Sequence, residues 1–405
     1  MLTLARSCQR FANPSSWYCL GQTAQYSAIC SLSGWQRRCD RLEGLLRRVK
    51  CPRLEEFEVD GTTYRLPVRM AAPAMQPSNT ELEYLRGFFD GDGCVTMFMR
   101  DGCIRLMVSQ ALDGAGVLVR FRQMLGGGIY RERDATGLHQ ASLKWQASST
   151  TGIQAAGLLS SLPSMKQAQL NVAVQGPIPT QLRAGVASNL TLLKQCDHTP
   201  SAVLACSWSY AAGFFDAEGS ISVRATDAHL CLSLSQVNPY ILKILHAFLR
   251  SQGFNRWVLC EGTHRWDLRC THFSQAVQFL DKLLSHGLMR KRRQAELSMA
   301  LTLQNHHEIR EAVSNLNGNQ GVYRRLDEAG AARAKEIKQI QGLLRRRRTA
   351  LKPNQAVIAE MDAKLQGLQE EHAKQNLISR CYKLRIQLRR LLSQGATIGP
   401  LIMRA

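Results

Sequence analysis

Residues 84–93 read YLRGFFDGDG and residues 210–219 read YAAGFFDAEG, and this internal repeat limits what the chain can fold into more than any other feature. A repeat of this kind means one supersecondary unit built twice. The copies stay in step beyond the motif. Each is followed by alternation suited to a half-buried strand, with Val95, Met97 and Met99 on one face in the first copy and Ile221 and Val223 in the second. The opposite faces carry Thr96, Phe98 and Arg100, and Ser222 and Arg224. Gln110 follows Gly93 by seventeen residues in VSQ, and Gln236 follows Gly219 by seventeen in LSQ. Amphipathic segments at 117–125 and 240–249 come next, then more alternating strand. KQAQ at 166–169 and KRRQ at 291–294 end the two copies in a closing helix. Each half therefore reads helix, two strands, helix, two strands, helix: an α+β class with two pseudo-symmetric αββαββα repeats.

Gly87 and Gly213 fall on the apolar side of their helices, where the missing side chain lets two backbones pack closely. Phe88, Phe89, Phe214 and Phe215 fill the core around that contact. Paired about a pseudo-twofold axis, the helices bring their last acids, Asp92 and Glu218, side by side. Two carboxylates at the negative ends of two helix dipoles repel, and a divalent cation relieves the repulsion. All-oxygen ligands suit Mg²⁺, or another hard divalent cation, rather than zinc or copper. Asp90 and Asp216 read as local caps, since one acid per half suffices for such a site. Cys260, His264, Cys270 and His272 follow no standard zinc spacing and straddle two strands.

Charge points to the partner. Lys plus Arg number 52 against 31 Asp plus Glu, a net charge of +21 that favours a polyanion such as nucleic acid. No window reads as a transmembrane helix; the uncharged run 145–165 is diluted by Ser, Thr, Gln and Pro163, and no membrane partner is expected. Thirteen cysteines without a CxxC pair read as free thiols of a reducing compartment.

Along the chain, residues 1–78 form a basic leader and linker. The first 39 have no acid, which fits an organellar transit peptide and a disordered leader alike. The first repeat spans 79–176, a linker opened by Pro177 and Pro179 spans 177–205, and the second repeat spans 206–305. Residues 306–405 form a basic helical domain. Ile337, Ile340 and Leu344 share one stripe, Val357, Met361, Leu365 and Leu368 another, with Pro353 between: an antiparallel helical hairpin or short coiled coil. Its Arg345–Arg348 run suits phosphates and a solvated helix face equally.

The paired motifs resemble the two signature helices of the LAGLIDADG homing endonucleases and their maturase relatives, over roughly residues 80–305. The resemblance implies that the repeats form a β-saddle along the major groove of double-stranded DNA, in a core that acts as a monomer. It implies metal ligation by Asp92 and Glu218, with the Gly91 and Ala217 carbonyls nearby. Gln110 and Gln236 then match the glutamines that order water, and Lys166 and Lys291 the pocket lysines that stabilise phosphoryl charge. Thr96, Phe98, Arg100, Arg105, Arg131, Arg133, Ser222, Arg224 and Arg256 lie where base and phosphate contacts are made. The activity implied is metal-dependent double-strand cleavage of a long, partly palindromic site, with Glu218 in place of an aspartate making the halves unequal. The alternative within the same resemblance is an RNA-binding maturase that folds structured intron RNA without hydrolysis. Either role suits a mitochondrion or chloroplast, and also the nucleus.

Overall fold

The computed structural model describes residues 31–195, 206–224, 228–316, 325–349 and 354–400. The leader up to residue 30, the linker end at 196–205 and Pro353 lie outside the described residues. The chain divides into a larger body, Arg48–Glu328 with the segment from Leu391, and a smaller one, the segment up to Arg47 with Ala329–Arg390.

The larger body holds both repeats. The first runs α1 (Asn79–Asp92), β1 (Gly93–Met97), β2 (Ile104–Ala111), α2 (Ala115–Leu125), β3 (Gly127–Arg133), β4 (Ser142–Ala147), α3 (Ser149–Ser160) and α4 (Gln167–Val174). The second runs α5 (Trp208–Glu218), β5 (Gly219–Val223), β6 (Leu230–Gln236), α6 (Tyr240–Ser251), β7 (Trp257–Glu261), β8 (Trp266–Cys270), α7 (Phe273–Ser285) and α8 (Arg292–Met299). Both sheets are antiparallel with one strand order, β3-β4-β2-β1 and β7-β8-β6-β5. The α+β class and the two αββαββα repeats are thus the observed architecture. Each repeat closes with two helices rather than one, because Pro163 in one copy and Gly287, at φ 93°, in the other break the closing segment.

Local chemistry sets these elements. Ser78 and Glu81 form a capping box at the start of α1, and the Ser207 hydroxyl accepts from the Tyr210 amide at the start of α5. In β2, Ile104, Leu106, Val108 and Gln110 are buried while Arg105, Met107 and Ser109 face outward. One core serves both halves. Phe88, Phe121 and Trp145 pack edge-on or tilted in sequence in the first, with ring centroids 5.9 and 5.0 Å apart. Phe215, Phe279 and Trp257 do the same in the second, at 5.4 and 4.6 Å.

Several segments differ from the sequence reading. Met99 is 51% exposed: strand β1 stops at Met97, because Phe98 and Gly102 close a turn, with Gly102 at φ 71°. Within the expected leader and linker, Glu56–Val59 and Thr62–Arg65 form a hairpin, and Val68–Ala71 pairs with β3 as a fifth strand of the first sheet. The inter-repeat linker contains a helix, Arg183–Gln195, whose Leu190 enters the core and whose Arg183 bonds the Met99 and Arg100 carbonyls at 3.0 and 3.1 Å. His306–Leu316, placed by sequence in the C-terminal domain, buries Ile309 and Val313 in the repeat core. Thr397–Ile398 pairs with Val49–Lys50.

The smaller body is helical. Glu328–Arg348 and Gln355–Ser393 pack antiparallel through Ile340, Leu344 and Ile358 with Met361, Leu365 and Leu368, the stripes expected from sequence except that Ile358 takes the buried place expected of Val357. Arg348 and Asp362, at 2.7 Å, and Lys364 and Glu336, at 3.3 Å, bridge the pair. The helix Leu32–Arg48 joins them: Cys39 Sγ donates to the Leu377 carbonyl at 3.4 Å, and Cys381 Sγ to that of Trp35 at 3.7 Å. Among the described residues, no helix is long and apolar enough to cross a membrane.

Candidate functional site

Helices α1 and α5 touch through their glycines. A Cβ on Gly87 would fall on the Tyr210 carbonyl oxygen, and one on Gly213 on that of Tyr84, so no other residue allows this approach. The approach carries the two helix ends together. Gly91 lies against Ala217 and Glu218, and Asp92 and Glu218 are the last residues of their helices.

Asp92 Oδ2 accepts from Gln110 Nε2 at 2.7 Å, and Gln236 lies near enough to Glu218 to favour its ionised form. Burial raises the Asp92 carboxyl above its ordinary value, against the opposing pull of Gln110, Arg290, Lys291 and Lys166. Glu218 is raised by burial and then by the negative charge of Asp92, which registers the proximity of the acids. A buried pair of like charges is costly, and a hard divalent cation between them removes the cost.

Lys166 and Lys291 also arrive here, at the head of the closing helices α4 and α8. They do so as ties more than as pocket groups. Lys166 Nζ donates to the carbonyls of Phe89 at 2.7 Å, Gly91 at 3.3 Å and Gly93 at 2.5 Å, and Lys291 Nζ to that of Asp216. Each ammonium therefore sits on the carbonyl end of a signature helix, where the dipole favours it. Burial lowers Lys166, and it lowers Lys291 to about 8 with help from the neighbouring Arg290 charge.

Asp90 and Asp216 do not cap locally. Asp90 accepts from the Ser164 hydroxyl at 2.5 Å, the Met165 amide at 3.0 Å and Tyr210 Oη at 2.9 Å. Asp216 accepts from Tyr84 Oη at 2.8 Å and the amides of Met289, Arg290 and Lys291 at 2.7, 3.0 and 2.8 Å. Each aspartate thus caps the far closing helix, Asp216 holding the Lys291 amide directly and Asp90 reaching that of Lys166 through the Ser164 hydroxyl, while its tyrosine partner comes from the other repeat. Their equal spacing in the two copies was visible in sequence; the crossed partners, more than a hundred residues away, were not.

The outward sheet faces hold most of the other predicted residues. Thr96 pairs with Arg105 across β1 and β2, and Phe98 lies beneath the Arg105 guanidinium, 3.4 Å from its ring centroid. Arg105 is also tied to Asp101 at 2.7 Å. Arg100 is exposed in the turn after β1, Ser222 and Arg224 are exposed at β5, and Arg256 is exposed just ahead of β7. Arg133 is outward, opposite Ser142, but Arg131 is not. The regular register that pairs Ile129 with Trp145 also places Arg131 beside buried Leu143, where it meets the Leu54 carbonyl at 3.4 Å and Asp134 at 3.3 Å, and the register shift that follows turns Arg133 outward. Sequence reasoning missed Lys144 and Arg269, which the strand registers put on the same outward faces beside Ser109 and Ser233. Cys260 and Cys270 pair with Asp267 and Trp257 on opposite faces of the second sheet, so the two thiols cannot share an ion.

Fold and site together define a two-repeat protein with one acid per repeat at a pseudo-twofold axis, the arrangement implied by the LAGLIDADG resemblance. No family model and no curated protein matches the chain. Among solved structures it is similar to the LAGLIDADG meganuclease I-AabMI bound to uncleaved DNA, 15% identical over 57% of this chain and 98% of that one, with a TM-score of 0.41. It is also similar to the LAGLIDADG homing endonuclease I-GzeII in complex with its DNA target, at 12% identity, 60% and 99% coverage and a TM-score of 0.43. A third is the meganuclease I-SmaMI bound to uncleavable DNA, at 14%, 60%, 100% and 0.41.

Proposed function

We propose that the chain is a site-specific, divalent-metal-dependent double-strand DNA endonuclease of the LAGLIDADG type. The observation that carries this reading is the acid pair: Asp92 and Glu218 end two touching helices, each has a glutamine of its own sheet beside it, and each is raised by burial. The Asp92 and Glu218 carboxylates would hold Mg²⁺ or a similar ion, with the Ala217 carbonyl and the remaining lone pair of the Gly91 carbonyl. Bound there, such an ion polarises a phosphoryl oxygen and makes attacking water more acidic.

The chain's own groups prepare that site. Gln110 and Gln236 fix the carboxylate orientations, and Lys166 and Lys291 fix the helix ends that carry them. Thr96, Arg100, Arg133, Ser222, Arg224 and Arg256 line the route for a duplex, with Arg105 presenting Phe98. The net charge of +21 supplies the attraction.

Selection of cut sequences from a randomised duplex library with Mg²⁺ tests the reading. The protein should yield one enriched site, and the Asp92→Asn/Glu218→Gln double variant should cut at least about a thousandfold more slowly. A folded protein that binds DNA and cuts no sequence would weigh against it. The exposed Arg345–Arg348 run on the helical hairpin favours a second reading, a maturase that binds structured intron RNA. Tighter binding to such RNA than to the selected duplex would promote it.

A further inference from the structure

The two halves of the site also differ at a position that lines the same cleft as Asp92. The residue before each lysine is Met165 in the first repeat and Arg290 in the second. Their backbones do the same job, since both amides donate to the capping aspartate of their own repeat at 3.0 Å. Only the side chains depart.

Arg290 is exposed, and it lines an open cleft of about 750 Å³ with Asp92, Gln110, Ala217, Ser109, Glu132, Arg133 and Ser142. Its Nη1 donates to the Asp216 carbonyl at 3.1 Å, which anchors one edge of the guanidinium. Its Nε lies beside Gly114, within 3.4 Å of where a Cβ would stand, and Gln110 Oε1 is at 2.9 Å from the same point. A side chain of the second repeat therefore reaches across to the acid and glutamine of the first. Met165 brings no charge to the other half. A guanidinium with one edge anchored presents its remaining donors in a fixed fork, the geometry that pairs with phosphate oxygens.

We propose that Arg290 contacts the scissile phosphate on the Asp92 side of the site alone, so that the two strands of the duplex are cut at unequal rates. This rests on the endonuclease reading above. The asymmetry then comes from Arg290 as well as from the Asp92 and Glu218 difference.

The test is strand-resolved cleavage of a selected duplex labelled on both strands, comparing the protein with Arg290→Met, which installs the first repeat's own residue, and with Arg290→Lys. The expected result is a faster strand that slows by about tenfold to a hundredfold in Arg290→Met while the other strand is nearly unchanged, with Arg290→Lys in between. Equal slowing of both strands would show that the side chain only supports the Asp216 carbonyl, and would overturn the proposal, as would an unchanged ratio. Binding of a randomised duplex across a salt series in EDTA gives a readout free of cleavage. Loss of one phosphate contact lowers the slope of log K against log salt by about one in Arg290→Met. An unchanged slope overturns the proposal even in a protein that cuts nothing, whereas no cutting with a lowered slope faults the endonuclease reading alone.

Discussion

The two repeats share what holds the axis and differ in what faces outward. Both keep the tyrosine that crosses to the other half, the glycine at the helix contact, the capping aspartate, the final acid, the glutamine and the lysine. They part at Asp92 against Glu218, at Met165 against Arg290, and at the fifth strand that only the first sheet carries; buried Arg86 against Ala212 is an exception inside the core. Positions that must mate with their own counterparts across a pseudo-twofold axis cannot drift singly, because each contact is made twice. Positions that face a duplex whose halves differ are free of that constraint.

Breaking the shared contact should have the largest effect. Gly213→Val drives a side chain into the Tyr84 carbonyl, a backbone clash that side-chain repacking cannot relieve. Thermal unfolding should show the transition lost, or lowered by roughly 10 °C or more. Survival of Gly213→Val within a few degrees would mean that the helices do not touch there. The capping aspartates sharpen the comparison, since Asp216 accepts from four donors and Asp90 from three. Asp216→Asn should cost about 3 kcal/mol and Asp90→Asn about 2, read from urea midpoints. A reversed order would contradict this accounting. The crossed tyrosines should be nearly equal: Tyr84→Phe and Tyr210→Phe each remove one buried hydroxyl bond, worth about 1 kcal/mol. A double-mutant cycle with the partner aspartate isolates each bond.

The smallest effect separates the lysines by pH. Lys291 is lowered to about 8, so between that value and the ordinary lysine range the folded chain binds fewer protons than the unfolded one. Stability from this group therefore grows as pH rises through that window and is absent below it. Lys291→Met should remove that slope, measured as the difference from the parent in urea unfolding at pH 7.5, 8.5 and 9.5. Equal slopes in both proteins would place Lys291 in solvent.

Much of this was legible in sequence because a repeat doubles every signal. Phe88 and Phe214 in register mark a core, Gly87 and Gly213 mark a contact, and Gln110 and Gln236 at one spacing mark a shared site. Strand periodicity gave β1, β2, β5 and β6, but a register shift in β3 puts Arg133 outward while Arg131 stays on the Ile129 face, and no local pattern announces such a shift. The hairpin and edge strand at 56–71 read as linker in sequence, since short strands on a sheet edge owe their form to the neighbour they pair with.

What the chain determines on its own is the list of elements, their doubling and the acids that end the paired helices, because periodicity and spacing are local properties of covalent order. Only the tertiary structure decides that Tyr84 reaches Asp216, that Lys166 spends its protons on the carbonyls of α1, and that Arg290 shares a cleft with Asp92. Those contacts join residues distant in sequence, and their strength depends on burial and angle, which exist only once the chain has closed on itself.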